Sequence, residues 1–269
     1  MDIALILGVL IAFGSLYAMI TLEGAHVEAL LLPAPMILVF GATIAVGIAS
    51  GTLRDAIASF SALPRALRGL SGPKPSELIA KVVGYAEKAR TSGLLALESA
   101  VAEEKDPFLR QALQNIADGT DGDDLRIVME DQVASAAGRN RIAGKFFTTL
   151  GGYAPTVGIV GTVVSLTHVL EKLDEPEKLG PLIAAAFVAT LWGLLSANFI
   201  WLPLGGRLTR LAELELGRMT MLTEGMLAIQ EGNPPHIVEE RMTALSAEHP
   251  KKASRKPKAD ATPPSSESV

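Results

Sequence analysis

The sequence contains no cysteine, and long parts of it contain no charged residue. Without cysteine, neither a disulfide framework nor a cysteine-ligated metal site can form. About 20 apolar residues span the hydrocarbon core of a bilayer, and helices in soluble cores rarely go that far without a charge. Four runs meet this length without Asp, Glu, Lys or Arg, and they predict four transmembrane helices: 3–22, 29–53, 146–170 and 179–206.

A cleaved signal peptide is the alternative to a permanent helix for the first run. The chain begins Met1-Asp2 and therefore lacks the basic residues that precede the apolar region of a signal peptide. Glu23 and His26 follow the run in place of a small-residue cleavage site. We therefore expect the first run to be retained as a helix.

Basic residues are distributed unevenly around the four runs. Of the 24 lysines and arginines, 13 lie in 54–145 and nine follow residue 206, whereas only Lys172 and Lys178 lie between the third and fourth runs. No lysine or arginine lies between the first and second runs. Because Lys and Arg accumulate in cytoplasmic loops, this pattern predicts a multi-pass protein with both termini in the cytoplasm.

The segments outside the runs have helical patterns. Apolar residues recur every three or four positions after Pro75, and further patterns predict helices at 93–98, 107–116 and 125–145. The aspartate-rich turn 118–124 lacks the EF-hand glycine at position six, so it predicts a helix N-cap and no metal site.

The predicted fold class is all-α: a polytopic membrane protein with four transmembrane helices and a helical cytoplasmic region. The end of the chain is rich in Lys, Pro and Ser and cannot bury a core, so we expect it to be disordered. Five segments result: 1–53 with transmembrane helices 1 and 2 and a short periplasmic turn, 54–145 as a cytoplasmic helical loop, 146–206 with helices 3 and 4 and a second short turn, 207–248 as a cytoplasmic helical tail, and 249–269 as a disordered tail.

Small residues form rows along two of the predicted spans. Rows of this kind let membrane helices approach each other closely, so both helices are expected to pack through them. The pattern also favours an oligomer, although four helices in one chain already need interfaces. The rows recur at intervals of four: Ala185, Ala189, Gly193 and Ala197 on the fourth span, and Gly41, Ala45 and Ala49 on the second.

The spans contain polar groups but no carboxylate. A cation that crosses hydrocarbon needs a titratable or coordinating group, and intramembrane carboxylates are the usual carriers. If ions pass, a partner must therefore supply the acid. Pro155 and Thr162 are seven residues apart and share one helix face, Thr190 offers a second hydroxyl, and Pro203 frees a backbone carbonyl. Each of these residues also has a purely structural explanation, since a Thr hydroxyl can bond to a carbonyl of its own helix and Pro is tolerated in membrane helices.

At this point four motifs, in order over about residues 1–245, resemble the flagellar stator subunits of the MotA/TolQ/ExbB family. The run from Gly151 to Val163 resembles their third-helix signature, and Ile183 to Gly193 resembles their fourth helix. Lys88 to Glu98 resembles their charged cytoplasmic motif. The tail segments 224–232 and 237–241 resemble theirs.

The resemblance implies an ion-driven motor unit in the inner membrane. In that family, a ring of five A subunits surrounds two MotB-type subunits, whose membrane aspartate would be the missing carboxylate. It assigns ion coupling to Pro155, Thr190 and Pro203, with Thr162 at a position that distinguishes sodium-type from proton-type relatives. It also implies that Arg90 and Glu98 contact the rotor switch protein FliG through charge.

Two features limit what the resemblance carries over. Sodium-type relatives have threonine at all three positions matching Thr162, Ala189 and Thr190, so the alanine favours protons, with Na⁺ as the alternative. The segment 138–141 lacks the acidic residue common there. A TolQ/ExbB-like energiser of envelope proteins is the competing function, but those relatives have three membrane helices. A solute transporter would show midplane charges and an internal repeat, which the sequence lacks. We expect no enzymatic activity, no cofactor and no nucleic-acid partner, with membrane lipid around the spans.

Overall fold

A computed structural model describes residues 4–24, 26–69 and 72–246, and within these ranges every regular element is helical. The predicted disordered tail, 249–269, lies outside the described residues. Short 3₁₀ turns occur at Val27–Leu30 and Leu94–Leu97, and a π-helical segment occurs at Ser196–Trp201. The α-helices are α1 Ala4–Leu22, α2 Pro33–Ala49, α3 Leu53–Ser61, α4 Leu63–Arg68, α5 Pro75–Ser92, α6 Glu98–Glu103, α7 Pro107–Ala117, α8 Gly122–Glu171, α9 Pro176–Leu195, α10 Leu202–Gln230 and α11 Pro235–Leu245.

Two long helical rods form the spine of the molecule. The first is α8, with 50 residues, and the second is the continuous helix Pro176–Gln230, with 55 residues, in which the π-helical segment joins α9 to α10. At ~1.5 Å per residue each rod is about 75–80 Å long, more than twice the hydrocarbon thickness of a bilayer. Each rod therefore belongs both to the membrane bundle and to the helical domain outside it.

Three helices are long and apolar enough to cross a membrane: α1, α8 and the α9–α10 rod. The second predicted span, 29–53, is represented by α2, whose 17 residues are followed by α3 and α4 after a bend of 120°. Seventeen residues stand at the lower end of the ~17–25 that cross a bilayer. The all-α, multi-pass prediction is thus confirmed, with three spans that are long by themselves and a fourth that is short.

Buried side chains form two cores at different heights along the spine. The membrane-side core consists of residues from α3, α4, the middle of α8 and the segment 197–208, and its centre is aromatic. Phe147 stacks on Trp201 with ring centroids 6.3 Å apart, and Phe60 meets Phe147 edge-on at 5.7 Å. The domain core is formed by α5, α6, α7, α11, the start of α8 and the end of α10.

Helix boundaries in the soluble region follow the predicted signals in part. The predicted helices after Pro75 and at 107–116 are present as α5 and α7. The segment 125–145 is not a separate helix, because α8 continues through it into the predicted third span. The segment 93–98 is mostly a 3₁₀ turn, since Gly93 has a φ of 81° and ends α5. The predicted N-cap is confirmed at Asp121, which accepts a hydrogen bond from the Asp123 N–H.

The small-residue rows have different outcomes. On the α9–α10 rod, Ala189, Gly193 and Ala197 are buried, as predicted, while Ala185 is half-buried. On α2 the prediction was wrong for contacts within the chain, because the row Gly41, Ala45 and Ala49 is exposed. Helix α2 packs through the opposite face, Pro35, Val39, Thr43 and Gly47, where Gly47 leaves room for the side chain of Leu150.

The tail segments that resembled the family close the end of α10. The chain turns at Gly232, which has a φ of 74°, and α11 folds back onto α10. Arg241 of α11 lies 2.9 Å from Glu231 and 3.5 Å from Glu224, so it links the two tail motifs. These motifs therefore stabilise the tertiary fold of the helical domain.

A buried carboxylate fixes the loop between α6 and α7. The Glu104 side chain is fully buried and accepts hydrogen bonds from Lys81 Nζ, the Tyr85 hydroxyl and the Asp106 N–H. Burial by itself raises the pKa of Glu104, but these donors outweigh it and hold the pKa below its usual value. Burial and the bond to Glu104 raise the pKa of Tyr85. The ionised carboxylate is therefore part of the native fold at neutral pH.

Candidate functional site

The structure brings Thr162 of α8 and Thr190 of α9 into direct contact through their hydroxyl oxygens. Thr162 Oγ1 also lies 3.1 Å from the Ala186 carbonyl oxygen and 3.2 Å from the Gly158 carbonyl oxygen. Each threonine has one hydroxyl proton to donate, and each carbonyl also accepts a helical N–H, so the lone pairs of the four oxygens still outnumber the donors. Lone pairs consequently remain free for a proton carrier or a small cation at this point between the two helices.

Glycine allows the two helices to come this close. A Cβ on Gly158 would lie 2.9 Å from the Ala189 carbonyl oxygen and 3.1 Å from Gly193 Cα. A Cβ on Gly193 would lie 2.8 Å from the Ala154 carbonyl oxygen. These distances are to backbone atoms, which cannot move aside as a flexible side chain can. The hydroxyl contact one turn away from Gly158 therefore depends on this glycine pair.

Ala189, which stands where sodium-type relatives have threonine, faces the same interface between α8 and α9. Ala189 is fully buried, and a Cβ on Gly161 would lie 2.9 Å from the Ala189 Cβ. Its side chain carries no oxygen, so the cluster has two hydroxyls instead of three. The oxygen ligands that remain are the Thr162 and Thr190 hydroxyls and backbone carbonyls.

Pro155 and Pro203 lie further along the same two helical rods, and both are half-buried. Proline has no N–H, so Pro155 leaves the Gly151 carbonyl without its helical donor and Pro203 does the same for Phe199. Gly151 packs against Leu202, the neighbour of Pro203: a Cβ on Gly151 would lie 2.6 Å from the Leu202 side chain. The two weakened helical turns therefore touch each other across the spine.

The π-helical segment Ser196–Trp201 directly precedes Pro203. A π turn is a local widening of an α-helix and often marks a functional position. The sequence analysis did not predict it. Its one signal was Pro203 itself, since the missing N–H disturbs the hydrogen bonds of the preceding turn.

Arg90 and Glu98, the two residues of the Lys88–Glu98 motif that were predicted to contact the rotor, are both exposed, but they do not share a continuous helix. Arg90 lies in the last turn of α5 and Glu98 begins α6, with the bend at Gly93 between them. Within the described ranges neither residue forms an ion pair. Lys88 Nζ lies 2.5 Å from Ser99 Oγ and ties the two helices together.

The apolar residues of this motif divide into an anchor and an exposed group. Leu97 is fully buried in the domain core, whereas Leu95 is 71% exposed. The sequence analysis did not single out Leu95. The structure therefore adds an apolar group to the outer surface between Arg90 and Glu98.

Comparisons with known proteins agree with this arrangement. Residues 100–221 match the MotA/TolQ/ExbB proton channel family. Motility protein A of Bacillus subtilis (strain 168) is 33% identical over 245 residues, which are 90% of this chain and 90% of that protein. The chemotaxis protein PomA of Vibrio alginolyticus is 32% identical over 166 residues, 62% of this chain and 65% of PomA.

Solved structures show the same fold. The C. jejuni MotAB structure superposes with a TM-score of 0.87 and 28% identity, covering 93% of this chain and 98% of that chain. The flagellar MotAB stator complex of Bacillus subtilis gives a TM-score of 0.82 and 30% identity over 88% of this chain and 92% of that one. With its acid-free spans and paired hydroxyls, this chain belongs to the MotA/TolQ/ExbB proton channel family, as a non-enzymatic, multi-pass membrane protein of the motility protein A type.

Proposed function

We propose that this chain is the A subunit of a flagellar stator that couples ion flow across the inner membrane to torque on the rotor. The observation that carries the proposal is the cluster of Thr162 and Thr190 oxygens between two helices that contain no carboxylate over 146–170 and 179–206. Such a cluster can relay or hold a cation but cannot take up a proton at neutral pH. A partner helix with a membrane aspartate, as in a MotB-type subunit, completes the site.

The proposed ion is the proton. Ala189 leaves two hydroxyls at the cluster, and a sodium ion needs several oxygen ligands to replace its hydration shell. A proton needs only one acceptor at a time, and the partner carboxylate supplies it. The similarity to PomA keeps Na⁺ as the alternative ion.

The proposed assembly is a ring of five copies around two MotB-type subunits, with both termini in the cytoplasm. The exposure of helix α1 supports a ring. Only Ile20 of this helix is buried in the single chain, so neighbouring copies or lipid must cover the rest of its apolar surface. The exposed row Gly41, Ala45 and Ala49 on α2 offers a close-packing surface of the kind that membrane helices use. The excess of Lys and Arg in 54–145 supports the orientation.

The test of ion coupling is a flux measurement in liposomes. The chain alone should give no proton or sodium flux above that of empty liposomes, because no span has a carboxylate. Addition of a partner with a membrane aspartate should open a proton pathway, and a partner with asparagine at that position should not. Flux through the chain alone would contradict the proposal. Flux that requires sodium would show that the coupled ion is Na⁺ and not the proton.

The proposed rotor contact uses Arg90 and Glu98 toward FliG. Arg90→Glu or Glu98→Lys should impair rotation strongly and leave insertion and partner binding intact, because both residues are exposed and unpaired in the described chain. Tethered-cell rotation measures the effect. Glu87→Lys is the matched control, since Glu87 is an exposed charge on the same helix as Arg90.

A charge-reversed rotor partner should restore part of the rotation lost in the Arg90 or Glu98 variant. Normal swimming of both single variants and of the double variant would show that the rotor contact lies elsewhere. A defect of equal size in the Glu87 control would show that the whole surface responds to charge, without a specific contact at the two residues.

A further inference from the structure

A cavity of about 940 Å³ lies between the membrane-side core and the helical domain. Its walls come from α4, the start of α5 and α10. Four basic residues line it: Arg65, Arg68, Lys74 and Arg210. A fifth, Arg218, lies in the same wall beside the acidic residues of the lining.

The three acidic groups of this lining are all paired with two of its arginines. Arg218 lies 2.5 Å from Asp106 and 2.8 Å from Glu215. Arg210 lies 3.1 Å from Glu213. Burial lowers the pKa of Arg218, but the hydrogen bonds from both of its carboxylate partners outweigh this and raise it overall, so these charges are held together.

Three basic residues of the lining have no such partner. In the part of the chain that the structure describes, Arg65, Arg68 and Lys74 form no ion pair, and Arg65 Nη1 donates to the Asn140 side-chain oxygen at 3.0 Å. These three basic residues therefore face the cavity without a directly paired carboxylate, and the lining as a whole, with five basic and three acidic residues, has an excess of two positive charges. An anionic ligand would be attracted to them, and planar guanidinium groups match the oxygens of a phosphate well.

One end of the cavity lies close to the predicted end of the fourth span, since its lining residue Arg210 follows residue 206 by four positions. The chain bends by 120° after α2, so α3 and α4 leave the direction of the membrane span. Leu53, Ile57 and Leu67 are 63%, 62% and 46% exposed on these helices, which also carry Arg65 and Arg68. A helix pair with exposed apolar groups beside basic ones is typical of an element lying in the headgroup region of a bilayer.

We propose that this cavity binds the phosphate of an anionic phospholipid headgroup from the adjacent leaflet, held by Arg65, Arg68 and Lys74. The lipid would link α4 to the start of α5 and so join the membrane-side core to the helical domain. Phosphatidylglycerol carries the required single negative charge, whereas the phosphate of phosphatidylcholine is neutralised by its own choline. The site is separate from the hydroxyl cluster of Thr162 and Thr190.

Because the chain has no cysteine, one introduced thiol can report on the cavity. Gly72 lines the cavity, and a Cβ at this position meets no atom of the described residues within 4 Å. In the full-length stator complex in nanodiscs, Gly72→Cys should react with a neutral maleimide several-fold more slowly with phosphatidylglycerol than with phosphatidylcholine alone. The control is Gly84→Cys at an exposed position of α5, where labelling should not change with the lipid.

Loss of the three charges should remove this protection. In the Gly72→Cys background, Arg65→Gln, Arg68→Gln and Lys74→Gln together should raise the phosphatidylglycerol concentration for half-protection at least about tenfold, because each basic residue near an anionic surface contributes about 1 kcal/mol. The matched triple, Lys105→Gln, Arg141→Gln and Lys145→Gln, removes the same charge from exposed positions outside the lining and should shift it little. If the triple variant does not fold, Arg68→Gln alone gives the same test with a smaller shift.

Three results would overturn the proposal. Equal shifts in the two triple variants would indicate unspecific attraction to an anionic surface. Protection by inorganic phosphate in detergent, with no further effect of phosphatidylglycerol, would assign the site to a soluble phosphate. Protection that persists in the lipid-free complex would show that a neighbouring protein segment covers the cavity.

Discussion

Chains with Pro155→Ala or Pro203→Ala should insert and assemble at normal levels and yet generate little or no torque. An alanine at either position restores a helical hydrogen bond, to the Gly151 or the Phe199 carbonyl, and makes that turn stiffer. The two affected turns touch through Gly151 and Leu202, so stiffening one also restrains the other. The π-helical segment before Pro203 should become regular α-helix in the second variant.

The measurement is torque from bead or tethered-cell rotation, with membrane levels and partner co-purification measured in parallel. Pro181→Ala is the matched control, because Pro181 is an exposed proline inside the first part of α9, away from the glycine crossing. We expect near-normal torque from this control. Degradation of the Pro155 or Pro203 variant, or failure to bind the partner, would assign the proline to folding, and wild-type speed would remove it from the mechanism.

A Gly158→Val chain should lose the packing between α8 and α9. The first added carbon would already lie 2.9 Å from the Ala189 carbonyl oxygen, and the two further methyl groups have no space at all. The helices must separate, which also breaks the contact between Thr162 and Thr190. Overpacking of this kind costs about 3 kcal/mol at the upper end of its usual range, or an apparent Tm lower by about 10 °C.

Thermal unfolding of the purified complex, followed by circular dichroism, measures this effect. Gly138→Val is the control on the same helix, since Gly138 is exposed and a Cβ there meets no atom within 4 Å. Both substitutions put a β-branched residue into α8, so the difference between them isolates the helix crossing. Similar Tm values for the two variants would contradict the close approach at Gly158 and Gly193.

Much of this architecture could be predicted because it depends on solvent preference along the chain. A run such as 146–170, without a charge for 25 residues, can be stable only in hydrocarbon or in a large core. A local signal was equally direct: the aspartate-rich turn 118–124 predicted a helix N-cap, and Asp121 caps α8. These features need no knowledge of what lies across the chain.

Features that depend on the opposing surface were predicted less well. Helix α2 has two rows of residues at intervals of four, and periodicity alone gives both the same weight. The row with Gly47 packs because Leu150 of α8 fills the space beside it, and that is a property of α8. The continuity of α8 through 125–145 was missed for a related reason. The sequence changes from charged to apolar near residue 145, but this change marks where the helix enters the membrane and does not interrupt its backbone.

By itself, the sequence determined the membrane-spanning, all-helical class, the absence of a carboxylate in the spans and the candidate residues Pro155, Thr162, Thr190 and Pro203. The tertiary structure decided which of them meet. It placed the two threonine hydroxyls in contact across the glycine crossing, brought the two proline turns together, and separated Arg90 from Glu98 by the bend at Gly93. Hydropathy and spacing are properties of one helix, whereas these contacts depend on how closely two helices approach each other.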